Sequence, residues 1–134
     1  MIKEYEKLLE QIEKNKNKRI AFWGASLFLE GFLKENSLKK YNILGIIDIN
    51  KQRWGEKLEN YEIFSPEKIK ELDVECIIIS IKNFSKERNK ELIKNIKQNF
   101  PRVYIAKNVL IKTNNEDFLN KYKLLINLNT CNLF

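Results

Sequence analysis

The chain has 134 residues, 43% hydrophobic and 32% charged, with 25 Lys plus Arg against 18 Asp plus Glu, a net charge of +7. That length and apolar content predict a single domain over residues 1–134 with a packed core, and exclude a disordered chain. Histidine is absent and cysteine occurs only as Cys76 and Cys131, which excludes imidazole-based triads, most zinc sites and a disulfide framework.

The chain opens with a predicted helix over residues 1–17. Ile2, Tyr5, Leu8, Leu9 and Ile12 repeat at three-and-four spacing among Lys and Glu, the mark of one apolar stripe. A core is predicted over 18–106. Arg19 to Trp23 is an apolar run too short for a helix and stopped by Gly24, so it reads as a buried strand. Ser26 can cap a helix from Leu27 to about Glu35 that turns Leu29, Phe32 and Leu33 inward. Tyr41 to Ile49 is a second strand, apolar on both faces as a covered parallel sheet requires. Asn50 to Asn60 is polar and irregular, with Gly55 suited to positive φ.

Tyr61 to Phe64 reads as a short edge strand. Ser65-Pro66-Glu67 then reads as a helix start: Ser at the cap, Pro at the first position, an acid in the first turn, with the helix ending near Leu72. Val74 to Ile81, VECIIISI, is the strongest strand in the chain, and Cys76 within it reads as a packing residue. Ser85 caps a long helix to Asn99 with Leu92, Ile93 and Ile96 inward, and Pro101 bars its continuation. Arg102 to Ala106 is a fifth strand. The extension over 107–134 offers a turn at Asn114-Asn115, a short helix over Glu116 to Tyr122, and strand or helix over Leu124 to Leu128.

Strands alternate with helices, so the fold class is α/β: a three-layer open sheet, mostly parallel, with an added N-terminal helix. Right-handed crossovers favour the strand order 3-2-1-4-5. The ligand crevice of such a sheet lies beyond the C-terminal strand ends where the order reverses. Here that places it at Gly24 to Ser26 and at Ser80 to Phe84.

Two elements at that edge carry chemistry. In IAFWGASLFLEGFL a strand enters a glycine turn and a helix starts at once. The glycine permits the turn, a small next position lets backbone approach a phosphate, and the helix N-terminus offers N–H groups to the anion. The pattern is Gly-x-Ser-x-x-Leu, because Ser26 and Leu29 stand where the dinucleotide fingerprint has glycines, and Gly31 comes too late to replace Leu29. A plain strand–helix turn accounts for it equally well. Asp48 ends the next strand, where a carboxylate can accept from ribose hydroxyls; alternatively it caps its own loop together with Asn50. Trp23 and Phe22 read as core. Trp54 covers a base, seals a dimer contact or caps the sheet. Lys82 is a solvated lysine or a phosphate partner, and Glu30 and Glu35 have no acid–base partner. No nucleophile–base pair emerges.

WGAS, then GIIDIN, then a glycine a few residues on, then YEIFSPEKI, then IIISI together resemble a bacterial Rossmann-like nucleotide-binding domain of surface-glycan pathways. The pattern is similar to the N-terminal domain of sugar O- and N-acyltransferases. It is also similar to the domain preceding capsule nucleotide-sugar epimerase/dehydratases, and to the C-terminal domain of sugar C-methyltransferases. The resemblance spans Lys18 to Ala106. It implies that Gly24, Ala25 and Ser26 face a phosphate or sugar, that Asp48 and Asn50 face a ribose or base, and that Ser80 and Asn83 border the same crevice. NAD(P) or a nucleotide sugar is the implied ligand. At Leu29 the family has a small residue, so this bulky side chain holds the helix off the sheet or closes the phosphate site.

The sequence shows no hexapeptide repeats, no epimerase Tyr/Lys domain and no methyltransferase domain. The expected role is therefore an accessory module, non-catalytic on its own, beside a glycan-assembly enzyme. The alternatives are a ligand-free homodimerisation or docking module, built on the N-terminal helix and the tail, and a fragment of a sugar-modifying transferase. No nucleic-acid partner is expected. Lysines are dispersed among glutamates, as in KEYEK and KERNKE, and arginine is confined to Arg19, Arg53, Arg88 and Arg102, whereas nucleic-acid readers concentrate Arg and aromatics on one face. No membrane insertion is expected either, because no apolar run nears the ~20 residues of a spanning helix. The N-terminus also lacks a signal-peptide core, and the expected location is the cytoplasm.

Overall fold

The computed structural model describes residues 2–111. The expectations for Asn114-Asn115, Glu116 to Tyr122, Leu124 to Leu128 and Cys131 lie outside those residues. In chain order the elements are α1 (Lys3–Lys14), β1 (Ile20–Trp23), α2 (Leu27–Glu35), β2 (Ile43–Ile47), a 3-10 turn (Lys51–Arg53), β3 (Lys57–Leu58), β4 (Tyr61–Phe64), α3 (Lys68–Glu71), β5 (Cys76–Ile79), α4 (Lys86–Asn99) and β6 (Tyr104–Ile105).

The sheet runs β3-β4-β2-β1-β5-β6. Its last five members are the five expected strands in the expected order, all paired in parallel. The addition is β3, which pairs antiparallel with β4 through Lys57 opposite Glu62 and Leu58 opposite Tyr61. The stretch read as irregular thus folds back on the edge strand and buries Leu58. Gly55 has the positive φ expected of it, +88°.

Alternation along the strands feeds two cores. Ile20, Phe22, Ile46, Cys76 and Ile78 face α1 and α2. Ala21, Trp23, Ile47, Ile77 and Ile79 face α3 and α4. Because both faces are covered, the strands are apolar throughout rather than alternating with polar residues. The α1 stripe is consumed here: Tyr5, Leu8 and Ile12 are buried in the first core, and Tyr5 packs on Phe28 and Phe32. These three side chains are thereby taken up by the chain's own sheet, while Ile2 of the same stripe is exposed and Leu9 packs at the margin of the core. Gly31 makes the contact feasible, because a Cβ there would lie 2.5 Å from the Tyr5 hydroxyl oxygen.

The helix start at Ser65-Pro66-Glu67 needs a smaller correction. Lys68 N–H donates to the Ser65 carbonyl and Ile69 N–H to the Pro66 carbonyl, both at 3.1 Å. Winding thus begins at Pro66 as three-residue turns. The α-helical turn itself starts only at Lys68, without a side-chain cap. At α2 and α4 the caps form as expected: Ser26 accepts from Leu29 N–H at 3.0 Å and Ser85 from Arg88 N–H at 3.2 Å.

Candidate functional site

Strand register brings the site together. Trp23 lies opposite Ile47 on one side and Ile79 on the other. The next residue of each strand is therefore Gly24, Asp48 or Ser80, three of the expected site residues in one row at the C-terminal edge. Gly24 leaves β1 with φ +110°, a conformation L side chains rarely adopt. Its N–H donates to the Ile47 carbonyl at 2.8 Å. A Cβ there would lie 2.6 Å from Ile81 Cγ1.

Ser80 is fully buried. Its hydroxyl lies 2.8 Å from the Gly24 carbonyl and 3.0 Å from that of Trp23, donating to the pair. Ser80 therefore holds the glycine turn from below. Ser26 is equally committed: its Oγ caps Leu29 and donates to the Ser80 carbonyl at 2.7 Å. Leu29 is fully buried in the first core.

The loop after β2 closes on the same turn. Asp48 Oδ2 accepts from Ala25 N–H and Oδ1 from Asn50 N–H, each at 2.8 Å. Arg53 Nη1 donates to the Ala25 carbonyl at 3.2 Å while its Nε pairs with Glu56 at 2.8 Å. Asn50 Oδ1 accepts from Gln52 N–H at 3.1 Å and caps the 3-10 turn. The half-exposed Trp54 donates through Nε1 to the Asp48 carbonyl at 2.7 Å, so its ring fastens this loop. Both polar groups of the Ala25 peptide are thus held by side chains from the β2 exit. Of the two sequence readings of Asp48, this geometry realises the loop-capping one, and it adds the bond to Ala25.

Open space lies on the other side of Gly24. A crevice of about 330 Å³ runs over Gly24 and Asp48 to the first turns of α4. Ile49, Ile81 and Phe84 give it apolar walls, and Arg88 and Glu91 give it charge. Sequence reasoning missed Arg88 and Glu91. The available signal was their position one and two turns after the Ser85 cap, on the helix that follows the fourth expected strand. Asn83 is exposed with φ +61°, and its N–H is tied to the Leu110 carbonyl at 3.0 Å. Lys82 Nζ lies 5.7 Å from the Phe28 ring centre, on the opposite core's side.

A larger cavity, about 720 Å³, is at the far, N-terminal edge. Arg19 there pairs with Asp73 at 2.7 Å and Glu75 at 3.4 Å, so its guanidinium is already answered. Among the described residues no cluster of acidic or Cys side chains could hold a metal ion, and no helix is long and apolar enough to cross a membrane.

The family model described as C2185-like, N-terminal, matches residues 15–103. The chain belongs to this family. The matched segment runs from the end of α1 to just before β6 and holds the whole glycine turn, the Asp48 loop and α4. No curated protein matches the sequence. Among solved structures, the UDP-D-quinovosamine 4-dehydrogenase from Vibrio fischeri aligns with a TM-score of 0.52 at 16% identity, over 78% of this chain and 85% of that one. The Rex-family repressor RSP, solved with β-NAD+ and operator DNA, aligns with a TM-score of 0.49 at 17% identity. That alignment covers 94% of this chain and 66% of the repressor, so this chain spans slightly less than two thirds of its length. The dehydrogenase likeness and the sheet order together show a Rossmann-like fold.

Proposed function

We propose that the domain is a non-catalytic module that binds a nucleotide or nucleotide sugar at the C-terminal edge of its sheet, beside enzymes of bacterial surface-glycan assembly. The observation that carries this reading is the crevice over Gly24 and Asp48, which lies where the strand order reverses. Its mixture of apolar walls with few convergent polar groups is what a small-molecule site needs. The glycan setting rests on the resemblance of WGAS, GIIDIN and YEIFSPEKI to accessory domains of that chemistry. NAD(P) and UDP- or CMP-sugars are the candidate ligands, and residues 1–134 act as one domain. Gly24, Ala25, Ser26 and Ser80 shape the edge, while Asp48, Asn50 and Asn83 border the ligand. Nucleic acid is not a partner in this reading.

The test is a titration followed by ¹⁵N–¹H spectra with NAD+, NADP+, UDP-glucose and CMP-sialic acid. Saturable shifts confined to the amides of 24–26, 48–50 and 81–91 are expected with at least one of them. Silence with all four, or shifts centred on Arg19 and Tyr104, overturns the assignment.

A second reading has its own observation. Leu27 at 87% and Ile49 at 73% exposure are the most exposed large apolar residues described; Leu27 opens α2 and Ile49 follows β2, both at this edge. A ligand-free docking module would use them. It predicts self-association or partner capture that Leu27→Ser with Ile49→Ser abolishes, with the spectra silent to every nucleotide.

A further inference from the structure

The C-terminal edge has two places where an anion could settle, the α2 turn and the start of α4, and they are not equivalent. At the α2 turn an anion is already present. Asp48 Oδ2 holds the Ala25 N–H at 2.8 Å, and Ser26 spends its oxygen on Leu29 N–H and its proton on the Ser80 carbonyl. A carboxylate thus stands where amide and helix dipole would otherwise draw a phosphate. A second anion there would meet it as a like charge. Across the crevice, Arg88 is the only cation among the described residues lining it. Its backbone N–H is tied to Ser85 Oγ at 3.2 Å; its guanidinium makes no hydrogen bond or ion pair with the described residues.

We propose that the crevice takes one nucleotide unit with its phosphate on Arg88 of α4, not on the glycine turn, and its hydroxylated sugar toward Asp48 and Glu91. This rests on the reading of the edge as a nucleotide site and specifies the ligand's polarity within it. A carboxylate offers about four acceptor positions, and two of Asp48's are taken by Ala25 and Asn50. The remainder, with Glu91, suits hydroxyl donors and repels phosphate. Guanidinium is the natural bidentate partner of a phosphate. Ile81, Phe84 and Ile49 supply the apolar contact for a base. At about 330 Å³ the space is at the small end of ligand sites and suits one nucleotide rather than two.

The experiment measures dissociation constants of the full chain for uridine, UMP, adenosine and AMP by calorimetry and NMR titration. The quantity read is the nucleoside-to-monophosphate ratio. In the wild type it should be about tenfold or more. Arg88→Ala should collapse it to about one while nucleoside affinity stays within about twofold, and Arg88→Lys should retain part of it. Glu91→Ala should weaken the nucleosides and, by removing a charge of the phosphate's own sign one turn from Arg88, leave the ratio at or above its wild-type value. A ratio untouched by Arg88→Ala, in a variant with wild-type thermal midpoint, overturns the proposal and leaves nucleotide binding intact. A wild type that binds none of the four, while NAD+ or a nucleotide sugar still shifts the edge, overturns it too; silence with every compound overturns both readings.

Discussion

The two ends of the sheet use charge in opposite ways. At the N-terminal edge Arg19 pairs with Asp73 and Glu75 through side chains that are 38%, 81% and 42% exposed, beside two bonds that involve backbone, Arg19 N–H to Glu75 Oε1 at 3.0 Å and Arg19 Nε to the Asp73 carbonyl at 2.8 Å. At the C-terminal edge Asp48, Ser26 and Ser80 give their side chains to backbone groups of neighbouring turns. The first arrangement trades one hydrated charge for another, and such pairs contribute little. The second satisfies peptide groups that the fold has removed from water, where an unanswered group costs about 1–3 kcal/mol. The buried part of the polar architecture therefore sits around the candidate site, where fully buried Ser80 holds two carbonyls, and the larger cavity lies at the end whose ion pairs are exposed.

The sharpest way to break this contrast is Gly24→Ala. The positive φ and the 2.6 Å approach of Ile81 act together, so a loss of about 3 kcal/mol is expected in urea unfolding. Adding Ile81→Ala should remove the steric component, so the double variant should fall short of the sum of the two single losses by about 1 kcal/mol, with the φ strain left in place. Fully additive losses would mean that the turn relaxes without meeting Ile81.

A buried group at the N-terminal edge tests whether burial, rather than the edge, decides. Cys76 follows Glu75 directly but is fully buried, and burial pushes its thiol up to about 11. An unfolded chain releases that proton near pH 9, so the unfolded state gains as pH rises from about 9 to about 11. Stability is whole below that window and falls by about 2–3 kcal/mol across it. Tyr61, raised by burial, and Tyr41, raised by its hydrogen bond to Glu13, act in the same direction at the upper end. Urea midpoints against pH in a Cys131→Ser background measure the fall, and Cys76→Ala should flatten its first part. An equal slope in both chains would remove the thiol as the cause.

Asp48→Ala comes next. It strips the acceptor from Ala25 and Asn50 N–H at once, for about 2 kcal/mol, reduced where water reaches the half-exposed loop. Asp48→Asn keeps one acceptor and should recover about half. Hydrogen exchange at the Ala25 and Asn50 amides reports the same loss locally. Protection unchanged in Asp48→Ala would show that the loop closes without the carboxylate.

What the sequence makes legible is whatever one short pattern determines. The β1–Gly24–Ser26–α2 junction is such a pattern, because a strand stop, a positive-φ residue and a cap are adjacent in the chain. Asp48 is legible as a strand-end acid, and parallel alternation foretells both cores. Contacts that join distant segments are not legible. Arg53 reaches the Ala25 carbonyl across 28 positions, and nothing in KQRWG announces it. The β3 strand owes its existence to Lys57 and Leu58 pairing with β4 rather than to their own propensities. Buried Asn108 donates to Asn89 at 2.8 Å on the inward side of α4, a polar pair that an apolar stripe cannot foretell. Even Ser80, correctly placed at the edge, gave no sign that its hydroxyl would turn down into the core toward the carbonyls of Trp23 and Gly24.

The smallest effect is the one that most directly tests the contrast between the two edges. Asp73→Ala removes the shorter of Arg19's two ion pairs, and Arg19 Nε still donates to the Asp73 carbonyl at 2.8 Å. The backbone bond survives the substitution, while the lost carboxylate was 81% exposed. The lost charge itself should cost no more than about 0.5 kcal/mol, shrinking further in 0.5 M salt. Asp73 also holds φ +54°, a conformation alanine tolerates less well than aspartate, so Asp73→Asn is the cleaner comparison: it keeps the turn and removes only the charge. If Asp73→Asn cost as much as Asp48→Ala and the loss vanished in salt, the N-terminal edge would be held by electrostatics after all, and the asymmetry between the two ends would dissolve.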